Sequence, residues 1–317
     1  MSDAISDTRV DPERLALAWR IAPLSIEFIL DIRAISRRDR DLIDSLLFAT
    51  IIAANVAPLT QDAGLQLTYA SSPAPAEARR PVSVNAVAQS MRIPFETARR
   101  RIRAMEKDGL LEVSARGVVA PHSILTRPDF IEGIALRHER VGRFYRDLAA
   151  TGVLATIPHA PSATADAPVL ITNRLTWEYV LRMADEMIAM IGDPLSGLIQ
   201  LEIIRHNIEG LSPAELLAWA KAPAAAGRPA RTAVFAGRLG LSPETARRYL
   251  VGLEKAGFCV RAPAGATAVL PSDQQANLQR IALDNLANVQ RMFTRLGQLG
   301  ALAAFDAQTS LGAAARA

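Results

Sequence analysis

Apolar positions recur at helical spacing through most of the chain, and two short stretches alternate instead. Asp11-Pro12-Glu13 opens the first helical stripe, with Asp placed as an N-cap and Pro at the first helical position. Leu15, Ala18, Ile21 and Ala22 follow at a period near 3.6. Pro23 predicts a kink or a restart there, because it lacks the N–H that an interior helical residue donates. Leu24, Phe28, Ile32 and Ile35 continue the stripe. Ser36-Arg37-Arg38-Asp39 has the form of a capping box and predicts a second helix, with Leu42, Leu46, Leu47, Ile51 and Ala54 buried. The period fails between Pro58 and Pro81, where Ser71-Ser72-Pro73-Ala74-Pro75-Ala76 reads as a surface loop.

Ser83 can cap a short helix carrying Val84, Val87 and Ala88, and Met91-Arg92-Ile93 reads as a turn before a helix that begins at Pro94. Along that helix Ala98, Ile102 and Met105 share the face predicted to be buried. Glu96, Arg100, Arg103 and Lys107 share the opposite one, flanked by Thr97 and Arg99. Gly109 suits a left-handed stop. Leu110 to Val113, a turn at Ala115-Arg116-Gly117, and Val118 to Ala120 predict a hairpin. Thr126 to Asp129 then read as the cap of a helix bearing Ile131, Ile134, Ala135, Val141, Tyr145 and Leu148.

Much of this pattern returns. Glu96-Thr97-Ala98-Arg99-Arg100 recurs as Glu244-Thr245-Ala246-Arg247-Arg248, an offset of 148. At the same offset Arg80-Pro81 returns as Arg228-Pro229, Ala88 as Ala236, Glu106-Lys107 as Glu254-Lys255, Gly109 as Gly257 and Gly117 as Gly265. Ile51-Ile52 and Asn55-Val56 match Ile203-Ile204 and Asn207-Ile208 at an offset of 152. An internal repeat outranks any single local reading. In the second copy Asn173 reads as the cap of one helix, Asp193-Pro194 as the start of another, and Ser212-Pro213-Ala214-Glu215 as a capping box. Ala222 to Pro229 reads as a loop like the earlier one, Leu241-Ser242 as turn and cap, and Ser272 to Gln275 as the cap of the last long helix. The expected boundary lies in the Pro/Ala-rich stretch from Ala155 to Pro168, which gives halves of 1–158 and 159–317. Each would hold helix–turn–helix and hairpin segments, at about 83–107 with 110–120 and at about 231–255 with 258–270. The predicted fold is mostly α with small β-wings, two winged helix-turn-helix units each flanked by long helices, in an internally duplicated pseudo-dimer.

Composition narrows the function classes. Half of the residues are hydrophobic, 21% are charged and only 5% are aromatic, a globular balance weighted toward helix. The net charge of +4 permits nucleic-acid binding without requiring it. The lone cysteine, Cys259, excludes an internal disulfide framework, fits a reducing cytoplasm and aligns with Leu111 as a buried strand residue. The polar start Met1-Ser2-Asp3-Ala4 lacks the build of a secretion signal, and the apolar run from Leu46 to Ala57 is too short to span a bilayer. A cytoplasmic protein with no membrane partner is expected. His122, His138, His159 and His206 have no metal-ligand spacing, and there is no phosphate loop, His-Glu-x-x-His or nucleophile elbow. No catalytic residue, metal or cofactor is expected, and the protein is not read as an enzyme.

From Ile93 to Leu110, and again from Leu241 to Phe258, the chain resembles bacterial winged-helix transcriptional regulators of the GntR and MarR types. These share a run of the form [SP]-x-x-T-[VA]-R followed by L-E-x-x-G-L. The flanking long helices are similar to those that pair two reading heads in MarR-type dimers. The Pro/Ala insertions at 70–81 and 222–229 are longer than such families carry. The resemblance implies double-stranded DNA as partner, met by Thr97, Arg99, Arg100 and Arg103 in one head and by Thr245, Arg247 and Arg248 in the other, with Arg116 at the first wing tip. An Arg at the start of a helix in the major groove reaches guanine O6 and N7, a discrimination of about 1–3 kcal/mol. Arg79, Arg80, Arg228 and Arg231 are further candidates for phosphate contact, whereas the second wing tip, Pro263-Ala264-Gly265, has no cation. Heads facing one side would read half-sites roughly 34–36 Å apart. Glu96 and Glu244 are expected to pair with Arg100 and Arg248 four residues on, the alternative being recognition of cytosine. Met183, Met187 and Met190 read as core or dimer packing. A replication-initiator-like DNA binder, a protein-interaction module of a chromosome-organising complex, a small-molecule effector between the long helices and a further homo-oligomer all stay open at this point.

Overall fold

The computed structural model describes residues 11–37, 40–162, 166–222 and 227–307. The chain is mostly helical, with two small antiparallel hairpins. In order it forms α1 (Pro12–Arg37), α2 (Leu42–Asn55), α3 (Ala57–Gln61), α4 (Ala63–Thr68), α5 (Val84–Ser90), α6 (Phe95–Lys107), β1 (Glu112–Ser114), β2 (Gly117–Val119), α7 (His122–Leu125) and α8 (Pro128–Ala149). Then come α9 (Val169–Ile191), α10 (Pro194–Asn207), α11 (Pro213–Lys221), α12 (Thr232–Leu239), α13 (Pro243–Lys255), β3 (Cys259–Ala262), β4 (Gly265–Ala268) and α14 (Gln275–Gln298).

The four longest helices form the centre. Both α1 and α9 pack against α8 and α14, closing a ring of contacts. Phe28 and Phe144 stack at 4.2 Å inside it. Nearby, Tyr179 Oη donates to Asn285 Oδ1 at 2.7 Å and Asn285 Nδ2 donates to Ser25 Oγ at 3.0 Å, so one buried polar chain ties α9, α14 and α1 together. Around the ring, elements from the N-terminal and C-terminal parts of the chain interleave. α2 packs on α9 and α10 on α1; α3 packs on α9 and α11 on α1. The C-terminal end of α1 reaches the turn between α12 and α13, where Arg33 Nη2 donates to Arg238 O at 3.1 Å and Arg37 Nη2 to Gly240 O at 3.5 Å. Across the molecule, burial raises the Asp185 carboxyl of α9 above its ordinary value while the charge of Arg92, in the turn between α5 and α6, opposes that rise.

The helix boundaries correct several local expectations. Pro23 neither restarts nor ends α1, which runs unbroken from Pro12 to Arg37 because its buried face offsets the missing hydrogen bond. Ser36 stays inside α1, with Oγ bonded to Ile32 O; the cap of α2 is Asp41, which accepts from the amides of Ile43 and Asp44. Arg38 and Asp39 lie outside the described residues. α8 starts after Arg127 with Pro128 at its first position and without a side-chain cap, while Thr126 bonds back to His122 O. Asn173 does not cap α9, which begins at Val169; it is buried one turn in, and its Oδ1 accepts from Arg137 Nε at 2.7 Å. α14 follows a single tight turn at Ser272–Gln274 and also lacks a side-chain cap. The expected caps Ser83, Asp193 and Ser212 are in place, the last as a complete capping box with Glu215. Residues 223–226 of the second expected loop lie outside the described residues.

Apolar burial falls into two clusters. One extends from the four central helices into α10, α12, α13 and the second hairpin, through residues such as Ile203, Phe235, Leu250 and Phe258. The other is confined to α2, α5, α6, α7 and the first hairpin, with Leu47, Ile51, Val87, Ala98, Ile102 and Val118 at its heart. Among the described residues no single helix is long and apolar enough to cross a membrane.

Candidate nucleic-acid interface

The segment from α5 to β2 is built from short-range rules. Ser83 accepts from Ala86 N at 3.1 Å and starts α5. Arg92 turns the chain with φ 48°, and Ile93 N returns to Ala88 O at 3.1 Å. α6 then buries Ala98, Ile102 and Met105, at 0%, 1% and 3% exposure, and leaves its cations outside. Past its end, Gly109 adopts φ 68° and Leu110 N bonds Met105 O, which redirects the chain into the hairpin. Glu106 Oε1 accepts from Val113 N at 3.3 Å and so joins helix to strand. β1 and β2 pair with Val113 opposite Val118, and Val82 adds a bridge to Val118 as a third extended segment.

The segment from α12 to β4 repeats these contacts. Gly240, with φ 61°, stands where Arg92 stands, and Leu241 N bonds Ala236 O. Ser242 caps α13 through Thr245 N. Ala246, Leu250 and Leu253 are buried, Gly257 has φ 78°, and Glu254 Oε1 accepts from Arg261 N. Ala230 bridges Ala266 as Val82 bridges Val118. At Gly117 and Gly265 a Cβ would lie 2.6 Å from Val82 O and 2.7 Å from Ala230 O, so the close third segment explains this repeated glycine.

Two asparagines with no role foreseen from the sequence hold these segments together. Asn55, at the end of α2, donates from Nδ2 to Arg80 O at 2.9 Å and Val118 O at 3.0 Å, and accepts from Ala120 N at 3.0 Å. Asn207, at the end of α10, donates to Arg228 O at 2.7 Å and Ala266 O at 3.3 Å, and accepts from Ala268 N at 2.7 Å. Both are buried. The signal was present as the Asn55/Asn207 match, but its offset differs by four residues from that of their partners.

Each candidate contact residue can now be placed. Arg99, Arg100, Arg103, Arg116, Arg247 and Arg248 are exposed; Thr97 and Thr245 are half-buried, the latter accepting from Ser242 Oγ at 2.9 Å. The glutamates pair three residues on, not four. Glu96 Oε2 takes Arg99 Nη2 at 2.7 Å, and Glu244 Oε1 takes Arg247 Nη2 at 2.8 Å. These bonds hold both guanidinium groups above their ordinary pKa. Arg103 pairs with Glu106 at 2.6 Å. Among the described residues Arg100, Arg116 and Arg248 make no ion pair, although the Arg248 guanidinium lies 5.5 Å from the Tyr249 ring centre. Arg80 and Arg231 are exposed and Arg228 meets Glu209 at 3.6 Å, but Arg79 is buried: it donates to Ala120 O and Pro75 O, and burial lowers its pKa. Arg101, not among the candidates, bridges Asp41 and Asp44 at 2.8 Å each and fastens α6 to α2. Cys259 is buried with Sγ 3.7 Å from Leu250 O, and burial raises its thiol to about 11.

The two helices differ in charge. α6 carries five cations and two carboxylates; α13 carries three cations and two carboxylates. No family model, curated protein or solved structure matches the chain.

Proposed function

We propose that the chain is an internal duplication of a winged helix-turn-helix unit, a pseudo-dimer in one polypeptide, that binds double-stranded DNA as a transcriptional regulator. α6 and α13 are the recognition helices on this reading, β1–β2 and β3–β4 the wings, and the ring of α1, α8, α9 and α14 the pairing layer. The observation that carries it is the placement of Arg100 and Arg248 at the same turn of equivalent helices, outward and in no ion-pair contact, the Arg248 charge reaching Glu244 only at longer range. An unpaired guanidinium on a helix face can meet phosphate or a guanine edge without first breaking an ion pair. The exposed Glu–Arg pairs are weak and salt-screened, so Arg99 and Arg247 can exchange their carboxylates for phosphate. With more cation on α6 and Arg116 on its hairpin, the first unit is assigned the tighter grip. On this reading the protein acts in the cytoplasm, which suits its single thiol.

The test is capture of genomic DNA fragments on the purified full chain, followed by anisotropy on a recovered duplex at several salt concentrations. Arg100→Ala with Arg116→Ala is expected to weaken binding tenfold or more and to reduce the salt slope by about one for each arginine that meets phosphate. Arg248→Ala should weaken it less. Absence of any retained duplex at low salt would refute the reading. One observation favours a second reading: Arg99, Arg103 and Arg247 are already satisfied by carboxylates, as on a protein-interaction surface. On that reading any residual DNA affinity would be equal for both variants.

A further inference from the structure

Among the described residues five large apolar side chains stand in solvent, Leu65, Phe95, Ile131, Leu136 and Val260. Phe95 is the aromatic one, 45% exposed. It is the first residue of α6, and Arg99 follows one helical turn later on the same side. Its ring joins neither of the two apolar clusters. A lone exposed apolar residue is ordinary on a solvated surface. Here, however, its neighbours Glu96, Arg99 and Arg100 are charged and exposed, on a helix that carries five cations. The ring forgoes the stabilisation that burial gives a phenylalanine, on the face already assigned to a polyanion.

The two helix starts differ at this point. The equivalent residue of α13 is Pro243, at the offset of 148. There Ser242 closes the helix start, its Oγ accepting from Thr245 N at 3.1 Å and donating to Thr245 Oγ1 at 2.9 Å. α6 has Pro94 at that place and no side-chain cap, so no capping group crosses its first turn beside Phe95.

Duplex DNA admits a helix in its major groove, where the base edges offer acceptors, amino donors and one apolar group, the C5 methyl of thymine. A phenyl ring has no hydrogen to donate and no lone pair to accept with, so the methyl is the group that it can favour. We propose that Phe95 is a specificity-determining residue of the first unit, packing its ring on a thymine methyl in the major groove, and that the second unit lacks this preference. The assignment rests on the DNA reading of α6 and names the base that the helix selects. It makes the binding site unequal in its two halves: thymine is required at one place under α6 and is free to vary at the matching place under α13.

The test uses the full chain and a duplex recovered from genomic fragments, read by anisotropy, with each thymine replaced in turn by deoxyuridine. That replacement removes the methyl group and keeps every hydrogen-bonding group. At a thymine in one half of the site the affinity is expected to fall roughly fourfold, the worth of one buried methyl group. Phe95→Ala should bind the thymine and uracil duplexes equally, and no more tightly than the unaltered chain binds the uracil form. Equal affinity after every replacement, the same loss at thymines in both halves, or a thymine preference undiminished in Phe95→Ala would each overturn the proposal and leave DNA binding standing. A ring that serves a protein partner instead would give the first of these results. Failure of any duplex to bind would overturn the DNA reading itself, and this assignment with it. The uracil scan on the unaltered chain can overturn the proposal without any variant.

Discussion

Replacing Asn55 by Ala removes three hydrogen bonds at one buried point, and the structure says where the loss will register. Asn55 joins the end of α2 to Arg80 O, Val118 O and Ala120 N. Val118 O keeps a second donor, Val82 N at 3.0 Å. Ala120, 2% exposed, is left with a buried N–H and no partner, at a cost of about 1–3 kcal/mol, and the two other bonds contribute about 0.5–1.5 kcal/mol each. The sum is roughly 2–6 kcal/mol. Because the surrounding apolar cluster is separate from the central one, the loss should appear as local opening of residues 82–120. Amide exchange there should accelerate by roughly 30-fold or more, at about 1.4 kcal/mol per tenfold, while α1, α8, α9 and α14 keep their protection. Asn207→Ala breaks the equivalent bonds in a unit continuous with the central core and should lower the cooperative melting of the whole chain. Unchanged exchange at Val118 and Ala120 in Asn55→Ala, or loss of protection in the long helices in step with residues 82–120, would refute this reasoning.

Three further outcomes follow from single positions. Gly117→Ala and Gly265→Ala place a methyl group against Val82 O and Ala230 O at φ values of 125° and 141°; each should destabilise by about 1–3 kcal/mol, and an unchanged thermal midpoint would contradict the assignment. The Cys259 thiol is raised to about 11 by burial, so its protonated form stabilises the fold at neutral pH and that contribution fades as pH rises above about 9; a thiol reagent at pH 8 should react only in denaturant, and rapid labelling of the folded chain would count against it. Burial depresses the His138 imidazole below its ordinary value, against a smaller opposing influence of Glu139. Its stabilising contribution is therefore present above the ordinary imidazole pKa of about 6.5 and is lost as pH falls below it. His138→Gln should flatten the fall in melting temperature between pH 7 and 5, and an identical slope would reject the cause.

What the sequence made legible was mostly local. Ala98 and Ala246 face inward, Gly109 and Gly257 stop helices with positive φ, and the hairpins fall where their turn residues stand, because each rests on neighbours a few positions away. One cap failed because a distant partner intervened. Asn173 obeys the local rule for a helix start, yet Arg137, on α8, holds it inside α9. Arg79 sits beside Arg80 in a loop, but Ala120 O and Pro75 O draw its guanidinium inside. Glu96 had two reachable arginines, and the spacings i+3 and i+4 are close enough in energy that the string alone does not choose between them. The placement of α2 on α9 and of α10 on α1 left no trace in the letters, since it depends on how one half docks against the other.

That docking is also where the α5–β2 and α12–β4 segments differ. Arg37 rests so close to Gly240 that an added Cβ there would collide with its guanidinium, whereas the matching position in the first half is Arg92, which carries a full side chain. So α1 can close directly on the turn between α12 and α13, where Arg33 beside it holds Arg238 O. The α5–β2 segment keeps an apolar core of its own and carries the exposed Arg100 and Arg116, which make no ion pair. If the repeated units were interchangeable, exchanging Arg92 for Gly and Gly240 for Arg would be neutral. The geometry requires instead that Gly240→Arg displace Arg37 and loosen the end of α1, so the asymmetry rests on one pair of positions in the two turns rather than on the repeated pentapeptide itself.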